Sequence, residues 1–170
     1  MATFIALLRG INVGTGRKVP MADLRTAFGE LGHTDVETYI QSGNVVFASS
    51  QPAAATRAEI EARLKRDFGF DITVLLRTRK DLERVVGANP YGSGAYVTFL
   101  DGKADAKLVR ALDPNQYAPD GLTIAGAEVF LHCPNGYGRT KINNPFFEKK
   151  LATRATTRNW NTVIKLLEMS

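Results

Sequence analysis

In the segment DVETYIQSGNVVFA, residues 35–48, apolar and polar residues alternate on both sides of Ser42-Gly43. Alternation with a period of two is typical of strands, and glycine supplies the positive φ that a two-residue hairpin turn needs. The sequence therefore predicts a β-hairpin, and the turn length fixes its register. The predicted cross-strand neighbours are Ile40 with Val45, Thr38 with Phe47, Tyr39 with Val46, and Gln41 with Asn44.

The strands and helices predicted around the hairpin follow one another in the order of a known architecture. Residues 3–8 are almost all apolar, the pattern of a central strand that is covered on both faces. Apolar residues at helical spacing predict helices over 21–31 and 55–68, and residues 71–76 form another apolar strand. The resulting order, βαββαβ, is that of the ferredoxin-like unit, in which two helices cover one face of a four-stranded antiparallel sheet.

The second half of the chain repeats this order imperfectly. A short helix over 79–86, opened by a Thr78/Asp81 capping box, leads into a strand, a helix and a second hairpin over 95–100, 104–112, 122–124 and 128–133. Two helices then end the chain, the first with Asn144 as its N-cap and the second capped by Thr156 or Thr157. We therefore predict an α+β protein of two closely packed ferredoxin-like (alpha-beta plait) subdomains, 1–78 and 79–170, the second ending in helices.

Composition argues against several classes of site. A single cysteine, Cys133, rules out an intramolecular disulfide framework, and with only two histidines no Cys/His cluster of zinc spacing can be drawn. We therefore expect neither a metal site nor a cofactor. No apolar run approaches the roughly 20 residues that span a bilayer, and the short apolar start followed by Arg9 lacks the features of a signal peptide. The expectation is a cytoplasmic protein without a membrane partner.

The positive charge of the chain is concentrated at its C-terminal end. The net charge is +5, and residues 139–170 hold seven lysines and arginines against two glutamates, so that the rest of the chain is neutral. A one-sided basic excess favours an anionic partner through its summed field. The alternative is a solvated basic surface that binds no ligand.

A second signal for an anion lies after the first strand, in the segment LLRGINVGTGRKVPM, residues 7–21. Strand, Gly-rich turn and helix follow one another as in a phosphate loop, yet the Walker A spacing and the third glycine of a dinucleotide fingerprint are both missing. The connection takes about ten residues where such loops usually take about 2–6, and it is rich in free N–H groups. An ordinary surface loop is the alternative. The candidate ligands are Arg9, Asn12, Gly14 and Lys18, with Arg17 beside them.

The segment YGRTKINNPFFEKKLATRATTRNWN, residues 137–161, holds two predicted helix N-termini, whose free N–H groups favour an anion. Arg139, Lys141, Arg158 and Asn159 lie close to them in sequence. We predict that this segment and the loop after the first strand form one composite anion site, because neither half alone has the donor density of a known phosphate loop. At the hairpin tip, Gln41 and Asn44 offer amide groups to a ligand, although a plain turn is the alternative.

No catalytic residue can be assigned from the sequence. His132 and Cys133 are neighbours on a predicted strand, so their side chains leave opposite faces and cannot act together. No nucleophile elbow, metal-binding helix or paired-carboxylate motif is present. Binding of a phosphate-bearing small molecule or a nucleic acid therefore ranks first. An enzyme acting on an anionic substrate and a protein-interaction module remain open, as does the oligomeric state; a pocket that placed His33 or His132 beside a Ser, Cys or carboxylate would favour the enzyme.

Three stretches, FIALLRGINVG with KVPM, TYIQSGNVVF, and TKINNPFFEKKL with ATTRNWNTV, together with NPYG at residues 89–92, resemble the signature segments of the bacterial family called domain of unknown function 1697. The resemblance covers nearly the whole chain. It implies a fold of two ferredoxin-like subdomains and supplies no activity. The aromatic sequence of RNA-binding sheets is absent, so the fold by itself does not indicate RNA. The family segments include Arg9, Gly10, Asn12, Gly14, Gln41, Ser42, Gly43, Asn44, Lys141, Asn143, Asn144, Arg158, Asn159 and Asn161.

Overall fold

The computed structural model describes residues 1–14 and 16–170; Thr15, in the loop after the first strand, lies outside them. The chain divides into two compact units, Met1–Glu83 with Leu166–Ser170, and Arg84–Lys165. Each unit has its own four-stranded sheet. The subdomain boundary between residues 78 and 79 stays a prediction.

The first unit follows the predicted βαββαβ order. Its elements are β1 (Ala2–Leu8), α1 (Met21–Glu30), β2 (Thr34–Tyr39), β3 (Asn44–Ser49), α2 (Ala53–Phe68) and β4 (Val74–Thr78), and α3 (Arg79–Ala88) comes next. The sheet has the order β2-β3-β1-β4, and every neighbouring pair is antiparallel. The apolar strand β1 therefore lies in the middle of its sheet, as predicted. The capping box of α3 is also confirmed, since Thr78 N donates to Asp81 Oδ2 (2.8 Å) and Asp81 N to Thr78 Oγ1 (3.2 Å).

The second unit repeats the topology of the first more completely than the sequence indicated. Its elements are β5 (Tyr96–Leu100), α4 (Ala106–Arg110), β6 (Gly121–Ala125), β7 (Glu128–His132), α5 (Asn144–Leu151), β8 (Ala155–Asn159) and the first part of α6 (Trp160–Met169), with short 3₁₀ turns at Gly92–Gly94 and Tyr137–Arg139. The residues of α6 from Leu166 onward are assigned to the first unit. The sheet order β6-β7-β5-β8 is the counterpart of β2-β3-β1-β4. The protein therefore consists of two ferredoxin-like sheets, each packed with helices.

The last strand, β8, corrects the prediction that the chain ends in two successive helices. Thr156 and Thr157 do not cap a helix; they lie in β8 opposite Phe99 and Thr98, and the Thr157 and Thr98 hydroxyls are 2.8 Å apart. The helix begins after Asn159, whose Oδ1 accepts from Thr162 N (2.9 Å). Threonine suits both a helix cap and a paired strand, and here the pairing with β5 decides. The N-cap of α5 is likewise one residue earlier than predicted, at Asn143.

The first hairpin forms where it was predicted, but its register is shifted by two residues. Thr38 lies opposite Val45 and Tyr39 opposite Asn44, so the loop takes four residues, 40–43, instead of two. Ile40 has φ 51° and leaves the strand, which is why it does not pair with Val45. A side chain at Gly43 (φ 88°) would lie 2.8 Å from Leu8 Cβ and from the Ile11 side chain, so this position needs glycine for space as well as for its φ.

Each sheet has one face covered by its own helices. In the first unit Leu24 and Phe28 of α1 and Ile60 of α2 pack against β1 and β3. In the second unit the sheet packs against α5 through buried residues that include Phe147 and Leu151. Among the described residues, no helix has the length and apolar character that a membrane crossing needs.

Candidate functional site

The loop after β1 is held in shape by the side chain of Asn12. Its Oδ1 accepts from Val19 N (2.8 Å), and its Nδ2 donates to Val19 O (3.0 Å) and to Gln41 O (2.7 Å). The backbone closes the loop further, since Asn12 N donates to Arg17 O (3.0 Å). Asn12 has φ 54°, a left-handed conformation that asparagine tolerates better than most residues. Both atoms of the Asn12 amide are therefore committed to holding the two ends of the loop and the hairpin tip together.

Arg17 also serves the loop itself. Its Nε donates to Gly10 O (2.8 Å), its Nη2 donates to Asp71 O (2.8 Å), and the guanidinium lies over the Phe70 ring at 4.6 Å. These contacts tie the loop to the segment before β4. The next residue, Lys18, lines a cleft instead, so the two neighbouring cations have different surroundings.

Lys18 belongs to a shallow cleft that we name the α1 cleft. It has a volume of about 710 Å³ and is formed by the end of the loop, the first turn of α1 and the tip of the hairpin. Lys18 and Arg25 supply its positive charge and Gln41 an amide, and none of its described lining residues is acidic. The described lining consists of Asn12, Lys18, Val19, Pro20, Met21, Ala22, Arg25 and Gln41.

The start of α1 adds backbone donors to this cleft. Pro20 occupies the N-cap position, and a proline side chain cannot accept a hydrogen bond from the first turn. Met21 and Ala22, the first two helical residues, line the cleft. The positive end of the helix dipole therefore points toward the same space as Lys18 and Arg25. Arg25 is steadied there, because its Nη1 donates to Thr38 Oγ1 (2.6 Å).

The hairpin tip separates the two amides that were predicted to lie side by side. Gln41 is exposed and reaches the α1 cleft. Asn44 is fully buried, and its Nδ2 donates to Tyr39 O and Ser42 Oγ, both at 2.9 Å. Asn44 therefore holds the four-residue loop together, as Asn12 does for the longer one.

Arg9 and Gly14 are not among the residues that line the α1 cleft. Arg9 is half-buried, and its backbone N donates to Thr73 O (2.9 Å) beside β4. Gly14 is exposed with φ 65°, and a Cβ at this position would meet no described atom within 4 Å. Glycine is thus required at residue 14 by its backbone conformation and not by a close neighbour.

A second cleft, which we name the Arg139 cleft, lies within the second unit. Its volume is about 470 Å³, and Arg139, Lys141 and Asp120 are its charged lining residues. Thr140, between the two cations, is buried and donates to Asp120 Oδ2 (2.6 Å). Because Thr140 points inward, its exposed neighbours Arg139 and Lys141 are presented at the surface. The amides of Gln116 and Asn135 also line this cleft.

Arg158 is a buried strand residue, which corrects its predicted place at a helix N-terminus. Its exposed fraction is 6 %, and its Nη1 donates to Thr156 Oγ1 (2.7 Å) and Thr157 O (3.0 Å). Burial lowers the pKa of Arg158 to about 10, against an opposing electrostatic effect of Tyr137. Arg158 is not among the residues that line the Arg139 cleft.

A matching arginine stands in the first unit. Arg77 lies opposite Ile5 in β4, as Arg158 lies opposite Val97 in β8, and its Nη1 donates to Leu76 O (3.0 Å). Both arginines are buried. The repeated position indicates a structural role that came with the repeated fold. Aligning LLRT (residues 75–78) with TTRN (156–159) would have revealed it.

The predicted site residues thus fall into three groups. Asn12, Lys18 and Gln41 meet in the α1 cleft, and Arg139 and Lys141 meet in the Arg139 cleft. The remaining five, among them Asn159, which caps α6, line neither cleft. Arg25 was missed by the sequence analysis. Its signal was available, because Arg25 lies four residues after Met21, on the face that begins with the first turn of α1.

Of the side chains considered as possible catalysts, His33 and Cys133 are buried, whereas His132 is exposed and stacks on Tyr91 with the ring centroids 5.6 Å apart. His33 packs between Phe28 and Phe47, with ring centroids 6.1 and 4.9 Å away. Burial lowers the pKa of His33 against the opposing charge of the Glu59 carboxylate, but the His33 Nε2 forms no hydrogen bond with any residue that the structure describes. Burial raises the pKa of the Cys133 thiol, which keeps it protonated. Within residues 1–14 and 16–170, no group of three or more His, Cys, Asp or Glu side chains could hold a metal ion.

These observations define the class of the molecule: a protein of two ferredoxin-like units, each of which has a cleft lined by two cations. A fold of this kind hosts many functions, so the class does not name one. The chain belongs to the family described as protein of unknown function DUF1697, whose model matches residues 1–130. The family resemblance is therefore confirmed over that range, and the signature segments after residue 139 lie beyond it.

A solved structure has a similar fold over the whole chain. The chain is similar to the conserved bacterial protein SP0830 from Streptococcus pneumoniae, with 25% sequence identity and a TM-score of 0.78. The similarity covers 99% of this chain and 98% of that one. Comparison with curated proteins gave no match.

Proposed function

We propose that the protein binds a phosphate-bearing ligand, a small molecule or a nucleic acid, in the α1 cleft. The observation that carries the proposal is the set of three hydrogen bonds that join the Asn12 side chain to the main chain of Val19 and Gln41. They hold the loop and the hairpin tip at the start of α1, so that Lys18 and Arg25 line one cleft. A cleft that is held in this way binds an anion without first having to order a flexible loop.

The chemistry of the lining matches a phosphate group. Lys18 offers a point charge, and Arg25 offers a planar fork whose Nη1 is already positioned by Thr38. Backbone N–H groups at a helix start add directional donors for the remaining oxygens. Phosphate has several acceptor oxygens to be shared among such donors. The described lining has no carboxylate; the acidic residue in the first turn of α1, Asp23, is not part of it.

The Arg139 cleft has similar cations, but the net charge of its lining is less positive than that of the α1 cleft. Arg139 and Lys141 favour an anion, while Asp120 opposes one or accepts from a donor on the ligand. The hypothesis that one ligand uses both Lys18 and Lys141 stays a prediction.

We also keep a cytoplasmic location as a proposal, because the single thiol, Cys133, is free and buried.

The test is a calorimetric titration with pyrophosphate as the probe. The variants Lys18→Gln and Arg25→Gln each remove one cation from the cleft, and Lys80→Gln removes an exposed cation from α3 as the matched control. We expect the first two variants to weaken binding and the control to bind like the wild type. Equal affinity of wild type and the Lys18→Gln, Arg25→Gln double variant would contradict the proposal.

A thermal-shift measurement gives an independent readout of the same proposal. Pyrophosphate at 100 times its dissociation constant should add about 2.7 kcal/mol to the free energy of unfolding. For a chain of this length that corresponds to a rise in Tm of about 5–10 °C. Repeating the titration with a single-stranded oligonucleotide distinguishes the two ligand classes, because several phosphate contacts make log affinity fall steeply with log salt concentration.

A further inference from the structure

Strand β6, Gly121–Ala125, forms one edge of the second sheet. It pairs with β7 on one side, and no described strand pairs with its other side. An edge strand carries main-chain N–H and C=O groups that point away from the sheet and can pair with another strand. The chemistry of these groups specifies the occupant as a further β-strand.

The hairpin geometry identifies the outward groups. Ala125 lies opposite Glu128 across the two-residue turn 126–127, and Gly126 has φ 64°. The residues that flank a two-residue turn exchange hydrogen bonds with each other, and every second pair along the ladder does the same. Gly121, Thr123 and Ala125 therefore direct their main-chain groups to β7. Leu122 and Ile124 direct theirs to the open edge.

An apolar groove lies beside these two residues. Leu122 and Ile124 line it together with Val109, Leu112, Pro114 and Thr123, and its volume is about 320 Å³. Both the open main-chain groups and the apolar side chains of β6 thus belong to the same two residues. A strand added at this edge would pair with the main chain and place its own apolar side chains at the groove.

The corresponding edge of the first unit is blocked. Strand β2 carries Asp35 and Glu37, and its pairing with β3 is interrupted between Thr34 and Glu37, where Asp35 has φ 53°. Charges and bulges are the devices by which edge strands avoid joining other sheets. Strand β6 has neither a charged residue nor an interruption of its register.

We propose that β6 pairs with β6 of a second copy of this chain about a two-fold axis at Thr123. The sheet that contains β6 and its counterpart in the second copy then form one sheet of eight strands. Antiparallel pairing centred on Thr123 places Leu122 opposite Ile124 of the partner subunit, so the residues with outward main-chain groups meet each other. Their apolar side chains then extend both grooves. The uncharged Thr123 meets its own copy, a pairing that threonines favour, and no like charges are brought together.

The experiment places charges at the axis. Thr123 is exposed, so Thr123→Asp and Thr123→Lys leave the core intact, yet each brings two like charges together across the two-fold. Sedimentation over a range of concentrations should show the wild type approaching twice 18.6 kDa, and each variant alone remaining at 18.6 kDa. An equimolar mixture of the two variants should recover the doubled mass, because opposite charges then meet at the axis.

One control variant and one further measurement distinguish pairing at this edge from other effects of the substitutions. Thr123 accepts or donates a hydrogen bond with the Tyr91 hydroxyl (2.8 Å), so Tyr91→Phe removes that bond without adding charge and should dimerise like the wild type. Hydrogen exchange gives a second readout. The amides of Leu122 and Ile124 should exchange slowly when the protein is concentrated and quickly when it is dilute. A monomeric wild type at high concentration, or a Thr123→Asp variant that dimerises fully, would overturn the proposal.

Discussion

Replacing Asn12 by glycine removes the side chain that holds the α1 cleft together. Three hydrogen bonds of 2.7, 2.8 and 3.0 Å are lost, two of them to Val19 and one to Gln41. Each contributes about 0.5–1.5 kcal/mol net, and because the site is partly exposed we expect a total loss of about 2–3 kcal/mol. Glycine accepts the φ of 54° at this position, so the variant isolates the hydrogen bonds from the backbone conformation.

Comparison of Asn12→Ala with Asn12→Gly measures the cost of the left-handed backbone conformation at residue 12. Alanine loses the same hydrogen bonds and must also adopt the left-handed conformation, which costs about 1 kcal/mol more. Urea denaturation measures the free energy of unfolding of both variants. Hydrogen exchange at the Val19 amide reports the loop directly, because Val19 N donates to Asn12 Oδ1. Pyrophosphate binding should weaken about tenfold or more for both variants, since about 1.4 kcal/mol of lost loop order corresponds to a factor of ten.

Asn89 offers a matched control in the second unit. Its Oδ1 accepts from Tyr91 N and its Nδ2 donates to Gly92 O, both at 2.9 Å, so it holds its own loop as Asn12 does. Asn89→Gly should lower stability without changing the affinity for pyrophosphate. A role of Asn12 in holding the α1 cleft is disproved if Asn12→Gly binds pyrophosphate and unfolds like the wild type, or if Asn89→Gly weakens binding as strongly.

Three further sets of variants test the burial of Arg158, the protonation of His33 and the coupling of Lys18 with Lys141. Arg158→Ala should lower the free energy of unfolding by about 2–4 kcal/mol in urea denaturation, because a buried, hydrogen-bonded side chain is lost, whereas exposed Lys80→Ala should change it by less than about 0.5 kcal/mol. Burial lowers the pKa of His33 in the folded state, so its contribution to stability is present above the ordinary pKa near 6.5 and is lost as the pH falls toward the folded value; unfolding measured between pH 5 and 8 should show this slope, and His33→Leu should flatten it. If Lys18 and Lys141 serve one ligand, the effects of Lys18→Gln and Lys141→Gln on pyrophosphate affinity should be non-additive in a double-mutant cycle, and additive effects would refute the composite site.

The first half of the fold could be predicted because its signals are local. The apolar run of β1, the helical spacing of α1 and the alternation around Ser42-Gly43 each act within a few residues. The register of the hairpin could not be predicted, because it depends on contacts with other segments. Gly43 packs against Leu8 and Ile11, and these contacts fix a four-residue loop that the turn residues alone do not specify.

Strand β8 was missed for a related reason. Its sequence, ATTRN, is polar and carries helix-capping residues, so local rules favour a helix start. Pairing with β5 overrides them, and that pairing joins residues about 60 positions apart. The candidate site shows the same limit. Lys18 and Gln41 could be named from the sequence, but only the fold brings Arg25 beside them and buries Asn44 and Arg158.

The central claim, that the α1 cleft binds a phosphate group, is tested most directly by a two-dimensional ¹⁵N NMR titration with pyrophosphate. We expect saturable shifts that are largest at the amides of Lys18, Met21, Ala22 and Gln41, which line the cleft, and that are lost in the Lys18→Gln, Arg25→Gln double variant. Saturable shifts confined to residues outside the cleft, or no saturable shift at all, would contradict it.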